Sequence, residues 1–106
     1  MNFQIGSALL DACVLSLLMQ GDTYGYVLTQ EMKKAVDISE STLYPVLRRL
    51  QKSGYLMTYD KPFQGRNRRY YAITPQGRVK YQEYREDWET YRNKLDSIIN
   101  GGEIHG

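Results

Sequence analysis

The spacing of apolar and polar residues predicts three short helices, a pair of strands and one long helix. Residues 5 to 20 read as the first helix, because Ile5, Leu9, Ala12, Ser16 and Met19 recur at helical spacing. Leu10, Cys13 and Leu17 widen its apolar face, and Gly21 supplies a C-cap. Asp22 and Thr23 both qualify as N-caps for a second helix over about residues 24 to 36, in which Leu28 and Met32 turn inward. After the turn Val36-Asp37-Ile38-Ser39, a third helix runs to about Ser53. Its Leu43, Val46, Leu47 and Leu50 follow the i, i+3, i+4, i+7 rule. Ser39 is a good N-cap for it, and Asp37 with Glu40 three positions on is a rival start. Pro45 removes a backbone donor and is expected to bend or strain the early part of this helix.

The period changes after Gly54. Residues 55 to 59 and 69 to 73 are short runs rich in aromatic and β-branched side chains, predicted as two strands. The segment between them, with Pro62 and Gly65, reads as a projecting polar loop. Tyr70 and Tyr71 alternate faces, so one is expected to pack inward and the other to stay half exposed. Thr74 and Pro75 form an N-cap and first-position pair for a last helix reaching about Asn100, roughly 25 residues or on the order of 40 Å. Residues 101 to 106 are expected to fray into a disordered tail.

This order predicts an α+β fold, a winged helix-turn-helix of three helices and a two-stranded β-wing, followed by a long C-terminal helix. Residues 1–73 are then the winged domain and 74–100 a dimerisation helix. The plainer reading is a small α+β domain whose hairpin merely covers a core. A chain of 106 residues is one domain at most. A domain this small buries roughly 60 to 70% of its extended-chain surface, so a partner subunit is an attractive way to finish the burial.

The net charge of +2 says little until the charges are placed. Lys61, Arg66, Arg68 and Arg69 put four cations within nine residues of the predicted wing, with no acid among them. Such a loop suits phosphates or the minor groove of a duplex, against the bland reading of a solvated basic turn. The third helix displays Ser41 and Thr42 in its first turn with Tyr44 close by, where helix-turn-helix proteins reach base edges and phosphates. Glu40 either accepts from cytosine or is an ordinary first-turn acid. Arg48 is assigned to the DNA-facing edge. Arg49 points elsewhere, to DNA or to an intramolecular salt bridge.

Catalysis finds little support. The lone His105 lies in the expected tail and Cys13 sits in an apolar run, where an inert core thiol is the ordinary outcome. No metal-ligand spacing or phosphate-cradling glycine motif occurs, and no cofactor is expected. The apolar stretches are too short to span a bilayer, so no membrane partner and a cytoplasmic location are expected.

The run Thr42-Leu43-Tyr44-Pro45-Val46-Leu47-Arg48-Arg49-Leu50, followed by Gly54-Tyr55-Leu56, resembles the PadR family of bacterial transcriptional regulators. The resemblance extends from Gly21-Asp22-Thr23-Tyr24-Gly25-Tyr26 to the run from Gly65 to Gly77, covering most of residues 9 to 100 in order. A single terminal helix looks like the short branch of the family, which includes a lactococcal multidrug-binding repressor. The resemblance implies a dimeric repressor that binds double-stranded DNA at a pseudo-palindromic operator. It places Ser39 to Arg49 as the recognition helix and Lys61 to Arg69 as the wing. Glu40-Ser41 stands where many relatives carry a glycine, which leaves the operator sequence open.

On the terminal helix, Tyr81, Tyr84, Trp88, Tyr91, Leu95 and Ile98 form a heptad stripe. The plain reading is packing against its own domain. The resemblance implies a dimer interface built with the first helix, and a cavity for a planar aromatic or cationic small molecule flanked by Trp88. Ile5, Leu9, Ala12 and Ser16 are then the facing residues. The competing function is a ligand-sensing or protein-interaction module without tight operator binding.

Overall fold

In the computed structural model, residues 5 to 101 are described, with side chains from Ala8 onward. The elements are α1 (Ile5–Met19), β1 (Thr23–Tyr24), α2 (Gly25–Met32), α3 (Glu40–Lys52), β2 (Leu56–Phe63), β3 (Arg66–Ile73) and α4 (Pro75–Asn100). The architecture is the α+β winged helix expected from the sequence, but the sheet has three strands, in the order β1-β3-β2, all antiparallel.

α1 is apolar nearly all round, so its periodicity does not say which face is the core. The buried face is Ala8, Asp11, Val14, Leu15 and Leu18, whereas Leu9, Ala12 and Ser16 are half-buried on the flank toward α4. α2 is shorter than expected. Its buried stripe ends at Met32, the next core side chain is Ile38, and the exposed Lys33, Lys34 and Ala35 form turns instead. It starts at Gly25 with Tyr24 as N-cap and no side-chain cap. The two expected caps serve elsewhere: Thr23 pairs with Tyr71 as part of β1, and Asp22 accepts a 2.7 Å hydrogen bond from the Tyr59 hydroxyl.

α3 begins at the expected cap. The Ser39 hydroxyl accepts from the Thr42 N–H, and the Asp37 start is not used. The helix runs unbroken through Pro45. The Ser41 carbonyl loses its i+4 donor there, and both residues are exposed, so water can replace the missing bond. Leu43, Val46, Leu47 and Leu50 form its buried face, as the spacing predicts.

The expected loop over residues 60 to 68 is mostly ladder. β2 and β3 pair from Leu56↔Ile73 out to Phe63↔Arg66, and Gln64 and Gly65 alone make the turn, with φ of 52° and 79°. A two-residue turn with both φ positive matches the right-handed twist of its strands, and Gly65 takes that conformation without strain. Pro62 is tolerated because β2 is an edge strand. Tyr71 is the inward member of the tyrosine pair and Tyr70 is half-buried.

α4 starts as predicted, with the Thr74 hydroxyl accepting from the Gly77 N–H and Pro75 in the first turn. A Cβ on Gly77 would lie 2.2 Å from the Tyr55 carbonyl oxygen, so glycine is required where α4 crosses the start of the wing. Gly101 caps the far end with φ 68°. Tyr84 is buried and Tyr81, Trp88 and Tyr91 are partly packed on the core, but Ile98 and Ile99 are 70% and 76% exposed. The distal part of α4 thus runs out beyond the core, and the molecule measures 60 × 27 × 21 Å. No helix among the described residues is long and apolar enough to cross a membrane. Residues 102 to 106, with His105 and most of the expected tail, lie outside the described residues, as does the side chain of Ile5.

Candidate nucleic-acid interface

Burial of one side of α3 fixes what its other side offers. With Leu43, Val46, Leu47 and Leu50 inward, Ser41, Thr42, Tyr44, Arg48 and Gln51 are exposed. Three hydroxyls cluster at the helix start, the Ser39 Oγ lying 2.9 Å from the Ser41 Oγ and 3.2 Å from the Thr42 Oγ1. Hydroxyls and free N–H groups at a helix N-terminus suit phosphate oxygens. Tyr44 donates to the Glu40 carboxylate at 3.2 Å, so Glu40 is already turned back along its own helix. Burial, and then this bond, hold the Tyr44 phenol above its ordinary value, so it remains a neutral donor.

Between this face of α3 and the wing lies an open cleft of about 550 Å³, mainly polar. Arg48 stands on the helix side, and Asn67, Arg68 and Arg69 on the wing side. The ladder register sorts the four expected wing cations. Lys61 and Arg68 are directly paired and share a face with Arg66, whereas Arg69 lies on the opposite face beside Asn67. Their surroundings differ too. Arg66 is exposed at the turn, and Lys61 lies over the Tyr70 ring at 5.5 Å. Arg69 has an exposed partner, Asp60, at 3.8 Å, an ion pair worth little in water.

Arg68 is half-buried between the rings of Tyr24 and Phe63, at 4.7 and 5.1 Å, and its Nε has no hydrogen-bond partner among the described residues. A guanidinium stacked in this way is held in one orientation before any ligand arrives. The sequence does not point to Gln51 and Asn67 as cleft residues, and Tyr24, for which the sequence leaves a phosphate contact or ordinary packing open, lines the cleft and packs against Arg68. Gln51 was findable, lying three residues beyond Arg48 on the same face. Asn67 needed the true extent of β3.

A second, mainly apolar groove of about 450 Å³ lies between α1, the end of α2 and α4. It gathers the expected Leu9, Ala12, Ser16, Tyr84 and Trp88, and adds Arg85 and the carboxylates Glu31 and Glu89, which are paired with Lys34 and Arg92. Tyr91 follows Trp88 with ring centroids 6.3 Å apart, and Leu95 and Ile98 continue beyond the groove. Cys13 is half-buried in the groove wall, and burial pushes its thiol up, away from the reactive thiolate. No cluster of metal-ligating side chains occurs among the described residues.

The feature that sequence reasoning missed is Asp11. It is 2% exposed and receives Arg49 from α3 through two hydrogen bonds, 2.9 Å to Oδ2 and 2.5 Å to Oδ1. The Tyr84 hydroxyl of α4 donates to the same Oδ2 at 2.9 Å. Arg49 is thereby committed to the intramolecular alternative.

The profile of the family described as "Transcriptional regulator PadR-like family" matches residues 14–83. The transcriptional regulator Rv3488 of Mycobacterium tuberculosis is 34% identical over 93 residues, 87% of this chain and 83% of its own length. The crystal structure of smu.1704 from Streptococcus mutans superposes with a TM-score of 0.87 at 37% identity, covering 95% of both chains. Bacillus subtilis PadR, solved in complex with operator DNA, shares the fold with a TM-score of 0.65 at 22% identity, over 72% of this chain and 45% of that one.

Proposed function

The chain belongs to the PadR-like family of transcriptional regulators, and we propose that it is a dimeric repressor that binds a pseudo-palindromic operator in double-stranded DNA and is released by a small ligand. The observation that carries the DNA reading is the cleft in which Arg48 of α3 faces Asn67, Arg68 and Arg69 of the wing. In this reading the first turn of α3, with Ser39, Ser41, Thr42 and Tyr44, enters the major groove. Arg66 and Lys61 follow the phosphates, and the stacked Arg68 meets the backbone or the minor groove. The relative solved with operator DNA supports this through its fold. Such a protein works in the cytoplasm, where the DNA is.

Dimerisation is supported by the stripe on α4, whose distal member Ile98, with Ile99 beside it, stands out in solvent on one chain. A two-fold dimer presents two α3 helices to two half-sites. Release by a ligand is supported by the apolar groove beside Trp88, which suits a planar aromatic molecule; its carboxylates Glu31 and Glu89 are paired with Lys34 and Arg92 and would have to leave them for a cationic one.

One observation favours the second reading, a ligand-sensing or interaction module without tight DNA binding: three of the four wing cations already have a partner in the chain, Lys61 and Arg68 aromatic rings and Arg69 the Asp60 carboxylate. Titration of the protein into labelled duplexes selected from a random library, at two salt concentrations, separates the two. Tight, salt-sensitive and sequence-dependent binding supports the repressor. No binding at low salt leaves the sensing module.

A further inference from the structure

We propose that Asp11 is a positioning residue for DNA recognition: its carboxylate sets the rotation of the reading helix α3 and links that rotation to α4. The inference rests on the DNA-binding reading and adds to it a route between the groove and the cleft.

A carboxylate almost wholly removed from water must be fully paired. Asp11 is paired from two directions, by the Arg49 fork of α3 and by the Tyr84 hydroxyl of α4, and both use Oδ2. A bidentate guanidinium–carboxylate pair fixes the plane of approach as well as the distance, because two parallel bonds cannot both survive a rotation. Arg48 follows from this. Successive residues on a helix point about 100° apart, so holding Arg49 at Asp11 fixes the direction in which Arg48 enters the cleft. The rest of α3 rotates with it, including Ser41 and Thr42.

The other end of the link is Tyr84, which lines the groove one turn before Trp88. A displacement of α4 stretches the Tyr84–Asp11 bond and moves an oxygen that Arg49 also holds. A shared acceptor is therefore the contact through which occupancy of the groove reaches the reading helix. Coupling of this kind is reciprocal, so duplex binding at α3 must also be felt at α4. Trp88 is the only tryptophan in the sequence and reports on α4 directly.

The test uses the full chain, a labelled duplex recovered by selection from a random library, and a random duplex as control. Binding is read from the label, and α4 from the emission of Trp88. In the wild type, saturating duplex is expected to change Trp88 emission. Tyr84→Phe keeps the ring and loses the donor. It is expected to bind the duplex to within about threefold of wild type, a change of well under 1 kcal/mol, while losing the Trp88 response. Arg49→Lys keeps the charge and loses the fork. Its preference for the selected over the random duplex is expected to fall at least about fivefold, the lower end of typical site-to-site coupling. A general loss of stability would instead weaken both duplexes together and appear in thermal melts.

A full Trp88 response in Tyr84→Phe overturns the proposal, as does unchanged duplex preference in a folded Arg49→Lys. Wild-type protein that binds duplex with no Trp88 response overturns the link alone. Wild-type protein that binds no duplex refutes the DNA reading and this inference with it.

Discussion

Arg49 reaches from α3 to the buried carboxylate of Asp11 in α1 and holds both of its oxygens, at 2.9 and 2.5 Å. Asp11 lies on the buried face of α1, and Arg49 reaches it from the exposed flank of α3, beside the buried face of that helix. Arg49→Ala would leave a desolvated charge with Tyr84 as its remaining donor. Breaking such a pair costs about 3–5 kcal/mol when both partners are buried. The Arg49 side chain is 47% exposed and water can reach the vacated site. We expect about 2–3 kcal/mol instead, or on the order of 10 °C in Tm. Urea titration checks this. Replacing the pair with Asp11→Leu and Arg49→Met should recover most of the loss, and equal stability of Arg49→Ala and wild type would show the pair to be idle.

Tyr84 gives stability a dependence on alkaline pH. Burial first, and then its bond to Asp11, raise its phenol above the ordinary value of 10.0. A group whose pKa is raised by folding binds its proton more tightly in the native state. Its contribution is complete below the unfolded value and declines as pH rises beyond about 10. Stability from urea titrations is therefore expected to fall with rising pH in that range. Tyr84→Phe should flatten part of the slope. An identical alkaline slope in the variant would show that other tyrosines carry the effect.

The wing cations should separate into two kinds. Arg66 is exposed at the turn, and Arg68 is held by Tyr24 and Phe63. Replacing both with alanine should weaken binding to selected and random duplexes alike and, with both protomers on the duplex, make the salt slope shallower by about 2–4. Phe63→Ala keeps every charge but removes one side of the Arg68 stack. It should weaken binding by about 0.5–1 kcal/mol with the slope nearly intact. Ser41→Ala and Thr42→Ala should instead change duplex preference more than random-duplex affinity. A parental salt slope in Arg66→Ala/Arg68→Ala would remove both residues from the phosphate contacts.

Local signals made most of this fold legible in advance. The helical spacing of α3, the Ser39 cap and the Thr74–Pro75 start of α4 each agree with the final packing. What stayed hidden depends on contacts distant in sequence. β1 is two residues long and exists because β3 offers it an edge, so Thr23 looked like a helix cap. Pro62 and Gly65 signal a loop by composition. In place, the proline sits on an edge strand and the glycine shares a two-residue turn. Asp11 was the most informative omission. A single acid at the spacing of Ala8, Leu15 and Leu18 announces a buried charge, but not that its partners are Arg49 and Tyr84. The cleft residues on α3 follow from its periodicity, whereas the sorting of the wing cations required the ladder register.

The final prediction concerns the far end of α4. Tyr84 is buried by its own domain, but Ile98 and Ile99 are 70% and 76% exposed and Leu95 is half-buried on the same helix. Covering an isoleucine or leucine of this kind is worth about 1.5–3 kcal/mol, and a two-fold interface counts each position twice. With Leu95 already half-buried and Ile98 70% exposed, the two together would then contribute on the order of 4–7 kcal/mol to a dimer, most of the roughly 8 kcal/mol of a micromolar dissociation constant. The double variant Leu95→Glu/Ile98→Glu should therefore sediment as a monomer at concentrations where the wild type is dimeric. Circular dichroism should stay near wild type, because both positions lie beyond the core. DNA binding should divide in the same way. Affinity for a duplex with two half-sites should fall steeply, whereas affinity for a single half-site should change within about threefold, since α3 and the wing are untouched. A wild-type monomer at micromolar concentration, with the chain folded, would defeat the dimer. A variant that stays dimeric would move the interface away from the distal half of α4.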